Sequence, residues 1–139
     1  MISTKGRYAL RVLIDLAEQG SEAPVPLKDV ARRQGISGKY LQHIAKLLVD
    51  QGLLVGTSGK SGGYLMTRAP EECSVAEVLA AAEGTLAPVA CLACDTLDCE
   101  RQDTCKTLPM WQKFDELTHD FFDGVTIADL VNGSIDIDS

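Results

Sequence analysis

Histidine is scarce in this chain of 139 residues: only His43 and His119 are present. With so few imidazoles there is no Ser-His-acid order. Neither H-E-x-x-H nor a dinucleotide-binding glycine fingerprint occurs, so neither an enzyme nor a small-molecule substrate is expected. Long apolar runs are missing too, and without one of 18 or more residues no membrane span is expected. The opening Met1-Ile2-Ser3-Thr4-Lys5-Gly6-Arg7 lacks the apolar stretch and cleavage site of a secretion signal, which points to a cytoplasmic protein. Positive charge is sparse in the second half, where residues 69–139 hold three Lys/Arg against fifteen Asp/Glu, a net of −12.

What is present is unevenly placed. Residues 1–68 hold ten Lys/Arg against five Asp/Glu, net +5, so the overall −7 conceals a basic half joined to an acidic one. The division fits a basic half that meets nucleic acid; chance clustering on two solvated faces is the competing reading. Apolar residues at 45% and charged residues at 24% are globular proportions. A chain this long buries roughly two-thirds of its unfolded surface and folds without disulfide staples.

Three helices and a hairpin are legible in the basic half. Ser3 or Thr4 caps a first helix in which Ala9, Val12, Leu13, Leu16 and Ala17 recur at helical spacing, and Gly20 ends it. Ser21–Val25 reads as a polar link. Pro26 stands at the start of a short second helix, Leu27–Gln34, stopped by Gly35. Ser37 caps a third helix whose Leu41, Ile44, Ala45 and Leu48 form one apolar stripe, with Gly52 as its stop. Two helices joined by Gln34-Gly35-Ile36-Ser37 have the outline of a helix-turn-helix. Opposite its apolar stripe the third helix carries Gly38, Lys39, Gln42, His43 and Lys46, a set without an acid. Lysine reaches phosphates and guanine edges, and glutamine bonds adenine edges. A purely solvated face more often mixes in glutamate, so DNA contact leads and a solvated face is the alternative.

Leu53–Gly56 and Tyr64–Met66 are strand-like runs on either side of a glycine-rich turn, which reads as a hairpin. The turn lacks the Gly-x-x-x-x-Gly-Lys-Ser/Thr order of a phosphate-binding loop. A hairpin directly after a helix-turn-helix is the wing of a winged helix, and Lys60 near its tip can follow a minor groove or backbone. Ser74-Val75-Ala76-Glu77 is a capping box that opens a helix over Val75–Glu83, ended by Gly84. Cys73, just before it, reads as a small buried filler. Past Pro109, the residues Met110, Phe114, Leu117 and Phe121 follow at spacings of four, three and four, and Trp111 and Phe122 widen the stripe. That is more aromatic area than a small domain needs on one surface. A second copy would cover it, so Met110, Trp111, Phe114, Leu117 and Phe121 are the expected dimer interface. Thr126 caps a last short helix, Ile127–Val131, followed by Asn132-Gly133.

Four cysteines stand within fifteen residues, as Cys91-x2-Cys94-x4-Cys99-x5-Cys105. Without a secretion signal such a cluster reads as metal or redox chemistry before structural disulfides. Structural zinc sites pair two C-x2–4-C knuckles, and only one is present here. An iron–sulfur cluster tolerates longer, uneven loops between thiolates and leads on spacing; zinc and a thiol–disulfide switch stay open. Asp95, Asp98, Glu100 and Asp103 interleave the cysteines, either lowering a cluster's reduction potential or serving as turn residues.

Three stretches resemble the bacterial winged-helix iron–sulfur regulators that include IscR, NsrR and CymR, and the IscR type in particular. They are Thr4-Lys5-Gly6-Arg7-Tyr8-Ala9-Leu10-Arg11, Gln34-Gly35-Ile36-Ser37 leading into Tyr40-Leu41, and Gly62-Gly63-Tyr64-Leu65. The resemblance continues through the cysteines, Trp111 and Ile127-Ala128-Asp129-Leu130-Val131-Asn132, and so covers nearly the whole chain. It implies a cytoplasmic homodimer on palindromic double-stranded operator DNA, with an iron–sulfur cluster that tunes operator binding. Cys91, Cys99 and Cys105 match the family's three cysteines, with seven and then five residues between them where IscR-like members have five and five.

The fourth ligand departs from the pattern. Leu108 stands where IscR-like members place histidine, and Arg7 where NsrR-like members place an acid. Cys94 is the leading candidate here, ahead of an exogenous thiol or solvent ligand and then of another residue of the chain. A 2Fe–2S cluster is favoured and a 4Fe–4S cluster is admissible. Lys39, Tyr40 and Gln42 occupy helix positions that meet DNA in the family, and Ser58 aligns with a wing arginine whose electrostatic role Lys60 can take. The expected DNA-contact set is therefore Ser37, Lys39, Tyr40, Gln42, His43, Lys46, Ser58 and Lys60.

The expected architecture is mostly α with a small β-hairpin wing, a winged helix-turn-helix followed by a long dimerisation helix. Its parts are residues 1–70 for DNA binding, 71–107 for a connecting helix and the cysteine loop, and 108–139 for dimerisation. The same DNA-binding dimer under zinc or thiol-redox control is the runner-up. An iron–sulfur electron or cluster carrier is the alternative from another class, and salt-sensitive duplex binding discriminates against it.

Overall fold

The computed structural model describes residues 2–89, 92 and 105–135. Helix α1 spans Thr4–Gln19; the Ser3 hydroxyl caps it by accepting from the Lys5 N–H, and Gly20 ends it in the left-handed conformation at φ 55°. Helix α2 spans Leu27–Gln34 and ends at Gly35, which also turns left-handed, at φ 64°. Helix α3 spans Gly38–Asp50 behind the Ser37 cap. Its C-terminus closes as a Schellman turn: the Leu53 N–H donates to the Leu48 carbonyl and the Gly52 N–H to that of Val49, both at 2.9 Å. Gly52 thus lies two residues beyond the last helical one, at φ 77°.

Strands β1, Leu54–Thr57, and β2, Gly63–Met66, pair antiparallel with Leu54 opposite Met66 and Thr57 opposite Gly63. The link before α2 takes part in this hairpin. Val25 and Tyr64 exchange backbone hydrogen bonds of 3.0 and 2.9 Å, satisfying the outer edge of β2. A one-residue bridge has no periodicity, which is why Ser21–Val25 reads as a plain link in the sequence.

Helix α4 covers Val75–Glu83 behind the Ser74/Glu77 capping box, and α5 covers Leu108–Asp123 with Pro109 in its first turn. The last helix, α6, is Ile127–Asn132, one residue longer than expected, behind a second capping box of Thr126 and Asp129. The Val75 N–H donates to Val125 and the Ile127 N–H to Cys73, so the starts of α4 and α6 are tied together.

Helix α1 touches α2, α3, α4 and α6 and is the axis of the fold. Ala9, Val12 and Leu13 of α1 and Leu41, Ile44, Ala45 and Leu48 of α3 are completely buried in one core with Val30, Leu53 and Ile127. Cys73 belongs to it as a filler, and burial pushes its thiol up. A smaller cluster of Val75, Ala76, Leu79 and Leu86 lies beneath Phe122 of α5.

Candidate functional site

The inward stripe of α3 sets the outward one. With Leu41, Ile44, Ala45 and Leu48 at zero exposure, the 3.6-residue period turns Lys39, Gln42, His43 and Lys46 to solvent, and all four are exposed. Ser37 heads this row, accepting from the Tyr40 N–H at 3.4 Å. The face is not wholly free cation, however. Lys46 Nζ lies 3.0 Å from Asp50 Oδ2 in an exposed i,i+4 pair, so an acid one turn further along already engages it.

Tyr40 is half-buried. Its ring meets the Tyr8 ring edge-on, with centroids 5.6 Å apart and planes at 86°. The Arg11 guanidinium sits 5.3 Å over that Tyr8 ring. This stack fastens the first turn of α3 to α1.

Ser58 and Lys60 project from the exposed tip of the hairpin. The tip folds back tightly, and glycine is what permits it. A Cβ on Gly62 would stand 2.4 Å from the Thr57 carbonyl oxygen, and one on Gly63 would stand 2.3 Å from that of Val25. Both obstacles are backbone, so neither can swing away.

The helix-turn-helix is fastened to α1 by a polar network with no hydrophobic signature in the sequence. Asp15 is 2% exposed. Arg33 grips it with a fork, donating from Nε at 3.0 and 3.2 Å and from Nη2 at 2.7 Å, and Gln34 donates at 3.0 Å. Burial pushes the Asp15 carboxyl up, but the bonds from Arg33 and Gln34 outweigh that and hold it below the ordinary aspartate value. Arg11 donates to both the side-chain and the backbone oxygen of Gln34, the residue that opens the turn into α3. Arg11, Asp15, Arg33 and Gln34 were all missed as positioning residues in the sequence. The one available signal was an aspartate at a core-facing position of α1, three residues beyond Val12 and one before Leu16.

Of the four clustered cysteines, Cys91, Cys94 and Cys99 lie outside the described residues, as do Asp95, Asp98, Glu100 and Asp103. Cys105 is half-buried three residues before α5, with its Sγ 3.3 Å from the Thr107 hydroxyl. Leu108, where the resemblance implies histidine in IscR-like members, is the one buried residue of α5, so no imidazole is at hand there. Among the described residues no three His, Cys, Asp or Glu side chains gather as metal ligands. The clustered cysteines of the sequence offer thiolates, the ligands that iron–sulfur clusters take.

Along α5, Met110, Phe114, Leu117 and Phe121 are 55, 43, 55 and 59% exposed, and Trp111 is half-buried. Four large apolar side chains in one line form the kind of patch that marks an interaction site. No helix among the described residues is long and apolar enough to cross a membrane.

The sequence matches the Rrf2 family, described as an iron-dependent transcriptional regulator, over residues 2–133. The protein rrf2 of Nitratidesulfovibrio vulgaris is 37% identical over 130 residues, 94% of this chain and 86% of that one. The HTH-type transcriptional regulator IscR of Erwinia tasmaniensis is 34% identical over 131 residues, 94% of this chain and 78% of that one. The structure of CymR, described as the global cysteine regulator of B. subtilis, superposes with a TM-score of 0.75 at 29% identity, covering 98% of each chain.

Proposed function

The chain belongs to the Rrf2 family of transcriptional regulators, and on that premise we propose that it senses iron–sulfur cluster state and binds palindromic operator DNA as a cytoplasmic homodimer. The observation that carries the DNA half is the sorting of α3. One face is wholly buried, and the other presents Lys39, Gln42, His43 and Lys46 beside a wing that ends in Ser58 and Lys60. Lys39, Lys46 and Lys60 supply phosphate contacts that set register, and Gln42 offers an amide to a base edge. Ser37 and Tyr40 position the first turn of that helix against the duplex. The DNA-binding part is residues 1–70, the connecting helix and cysteine segment 71–107, and the dimerisation part 108–139.

Cys91, Cys99 and Cys105 would hold the cluster, with Cys94 as fourth ligand; a 2Fe–2S cluster is favoured and 4Fe–4S is admissible. When bound, the cluster supplies a redox- and iron-sensitive centre. The chain's own residues do the rest: the thiolates bind, and α5, which begins three residues after Cys105, carries the dimer face of Met110, Trp111, Phe114, Leu117 and Phe121. In this reading the acidic half, through the helices on either side of the cysteines, would relay the state of that centre to the relation of the two DNA-binding halves. The likeness to CymR, which in Staphylococcus aureus has also been solved in an oxidised form, favours a second reading, in which the same dimer answers to thiol oxidation; zinc control is the remaining variant of that reading.

Anaerobic purification, iron and sulfide analysis and a visible spectrum test the proposal. Broad absorption near roughly 400–460 nm with matched iron and sulfide supports the cluster, since thiolate-bound iron absorbs there. A colourless protein without iron after reconstitution overturns it and leaves the thiol or zinc reading. Duplex binding that falls steeply with salt supports operator contact; binding insensitive to salt overturns that half.

A further inference from the structure

The last residue of α4 holds the first turn of α1. Glu83 Oε1 accepts from the Ser3 N–H at 2.6 Å and from the Gly6 N–H at 2.9 Å. The Ser3 hydroxyl makes a bifurcated bond to the two carboxylate oxygens at 2.8 and 2.9 Å. The carboxylate thus meets the positive end of α1, whose own first turn contains no acid. Gly6 makes room for it: a Cβ there would stand 2.7 Å from Glu83 Oε1 and 3.0 Å from Leu79 Cδ2. Burial pushes the Glu83 carboxyl up, but the bonds from Ser3 and Gly6 bring it below the ordinary glutamate value and keep it anionic at neutral pH.

The contact joins two parts with different tasks. Within two turns of it, α1 carries Tyr8, stacked on Tyr40 of α3, and Arg11, bonded to Gln34 at the entrance to the helix-turn-helix turn. On the other side, Gly84 ends α4 and the chain runs on to Cys91, eight residues after Glu83. Leu86 is packed back onto Val75, Ala76 and Leu79, so the exit from α4 is itself anchored. Without Glu83, α1 and α4 keep an apolar contact that permits sliding; with it, the start of one helix is hydrogen-bonded to the end of the other.

We propose that Glu83 is a positioning residue that transmits the state of the cysteine-bearing segment to the recognition helix, by holding the N-terminus of α1 on the end of α4. This rests on the regulator reading above. A displacement of the end of α4 carries Ser3 and Gly6 with it. The Tyr8–Tyr40 stack and the Arg11–Gln34 bonds then pass the movement to the first turn of α3, where the DNA-facing residues begin.

The test measures coupling rather than affinity alone. The full chain is prepared anaerobically with ferrous iron and sulfide, and again after stripping with chelator and oxidant. Each form is titrated by fluorescence anisotropy against one duplex, selected from random palindromes by the wild-type protein. The readout is the ratio of the two dissociation constants. Glu83→Ala is expected to shrink that ratio toward one, by about fivefold or more. Gly6→Ala, which displaces the carboxylate without removing it, is expected to repeat the loss. Glu83→Gln, which keeps an oxygen to accept the two N–H groups, is expected to retain most of the ratio. A merely structural role lowers melting temperature and weakens both forms equally, leaving the ratio intact, and that result in Glu83→Ala and Gly6→Ala overturns the proposal. A wild type with no state dependence overturns the sensing reading and this inference together. A state-dependent wild type beside unchanged variants overturns this inference alone.

Discussion

Replacing Phe121 by alanine separates the stability of one chain from the association of two. Phe121 is 59% exposed, in an edge-on contact with the Phe122 ring at 5.3 Å. Truncating it removes the smaller, buried part of the side-chain surface, about 70 Å², so the unfolding free energy of a single chain should fall by about 1–2 kcal/mol. In a dimer built on this helix the outcome differs. A phenylalanine side chain contributes 150–250 Å² of surface, so the exposed fraction leaves about 100 Å² for a partner to cover. At 25 cal/mol per Å² that is about 2.5 kcal/mol per copy. A twofold interface loses the contribution twice, about 5 kcal/mol in all, which raises the dimer dissociation constant by about three to four powers of ten. Sedimentation velocity over a concentration series reads the dissociation constant, and urea denaturation reads the stability. Lys113→Ala, on the same helix in an exposed pair with Glu116, is the control. A dissociation constant within tenfold of wild type refutes the assignment of this face. So does a loss of chain stability large enough to account for the dissociation.

Three further substitutions address the basic half, where DNA contact is proposed. Asp15→Ala leaves the Arg33 fork without its acceptor and should cost about 2–3 kcal/mol, less than a fully buried pair because Arg33 is partly solvated. The Asp15 pKa is lowered by folding, so this stabilisation is full above an aspartate's ordinary 3.8 and fades as pH drops below it. Urea curves of variant and wild type should therefore differ more at pH 7 than in acid below pH 3.8; an equal difference at both contradicts the assignment. Gly62→Ala forces the wing open against the Thr57 carbonyl and should weaken duplex binding by about tenfold or more, while circular dichroism of the helices stays unchanged. Wild-type affinity in that variant shows that the hairpin tip does not touch DNA. Asp50→Ala frees Lys46 from its 3.0 Å partner and removes an acid beside the recognition face. Duplex affinity should rise several-fold and the salt slope steepen by up to about 0.9; weaker binding shows that Lys46 faces away from phosphate.

The polar network of α1 explains why the helix-turn-helix is held at a defined angle. Apolar packing of Val12 and Leu13 against Leu41 and Ile44 is strong but slippery, because methyl and methylene surfaces tolerate small shifts. The Arg33 fork on Asp15 and the Arg11 bonds to Gln34 are directional, and each fixes a point on α2 relative to α1. A winged helix must present its recognition helix and its wing at one spacing to match a groove. Directional bonds on one side and the Val25–Tyr64 bridge on the other supply that definition.

Much of this was legible in the residues. Helix caps are local events: Ser3, Ser37, Ser74 and Thr126 cap as expected because an oxygen needs only reach N–H groups two or three residues ahead. The inward and outward faces of α3 follow from the 3.6-residue period alone, which is why Lys39, Gln42, His43 and Lys46 could be named before any coordinates. Tertiary structure decided what lies far apart in the chain. Glu83 meets Ser3 and Gly6 across 80 and 77 residues, Arg33 meets Asp15 across 18, and Val25 bridges Tyr64. Nothing in local spacing encodes such pairs, because their partners are chosen by how the apolar faces pack. The same packing turned Tyr40 inward onto Tyr8 and left Phe121 outward. Periodicity assigns a residue to a face, and only the assembled core determines whether that face meets a neighbour in the same chain or is left for another molecule.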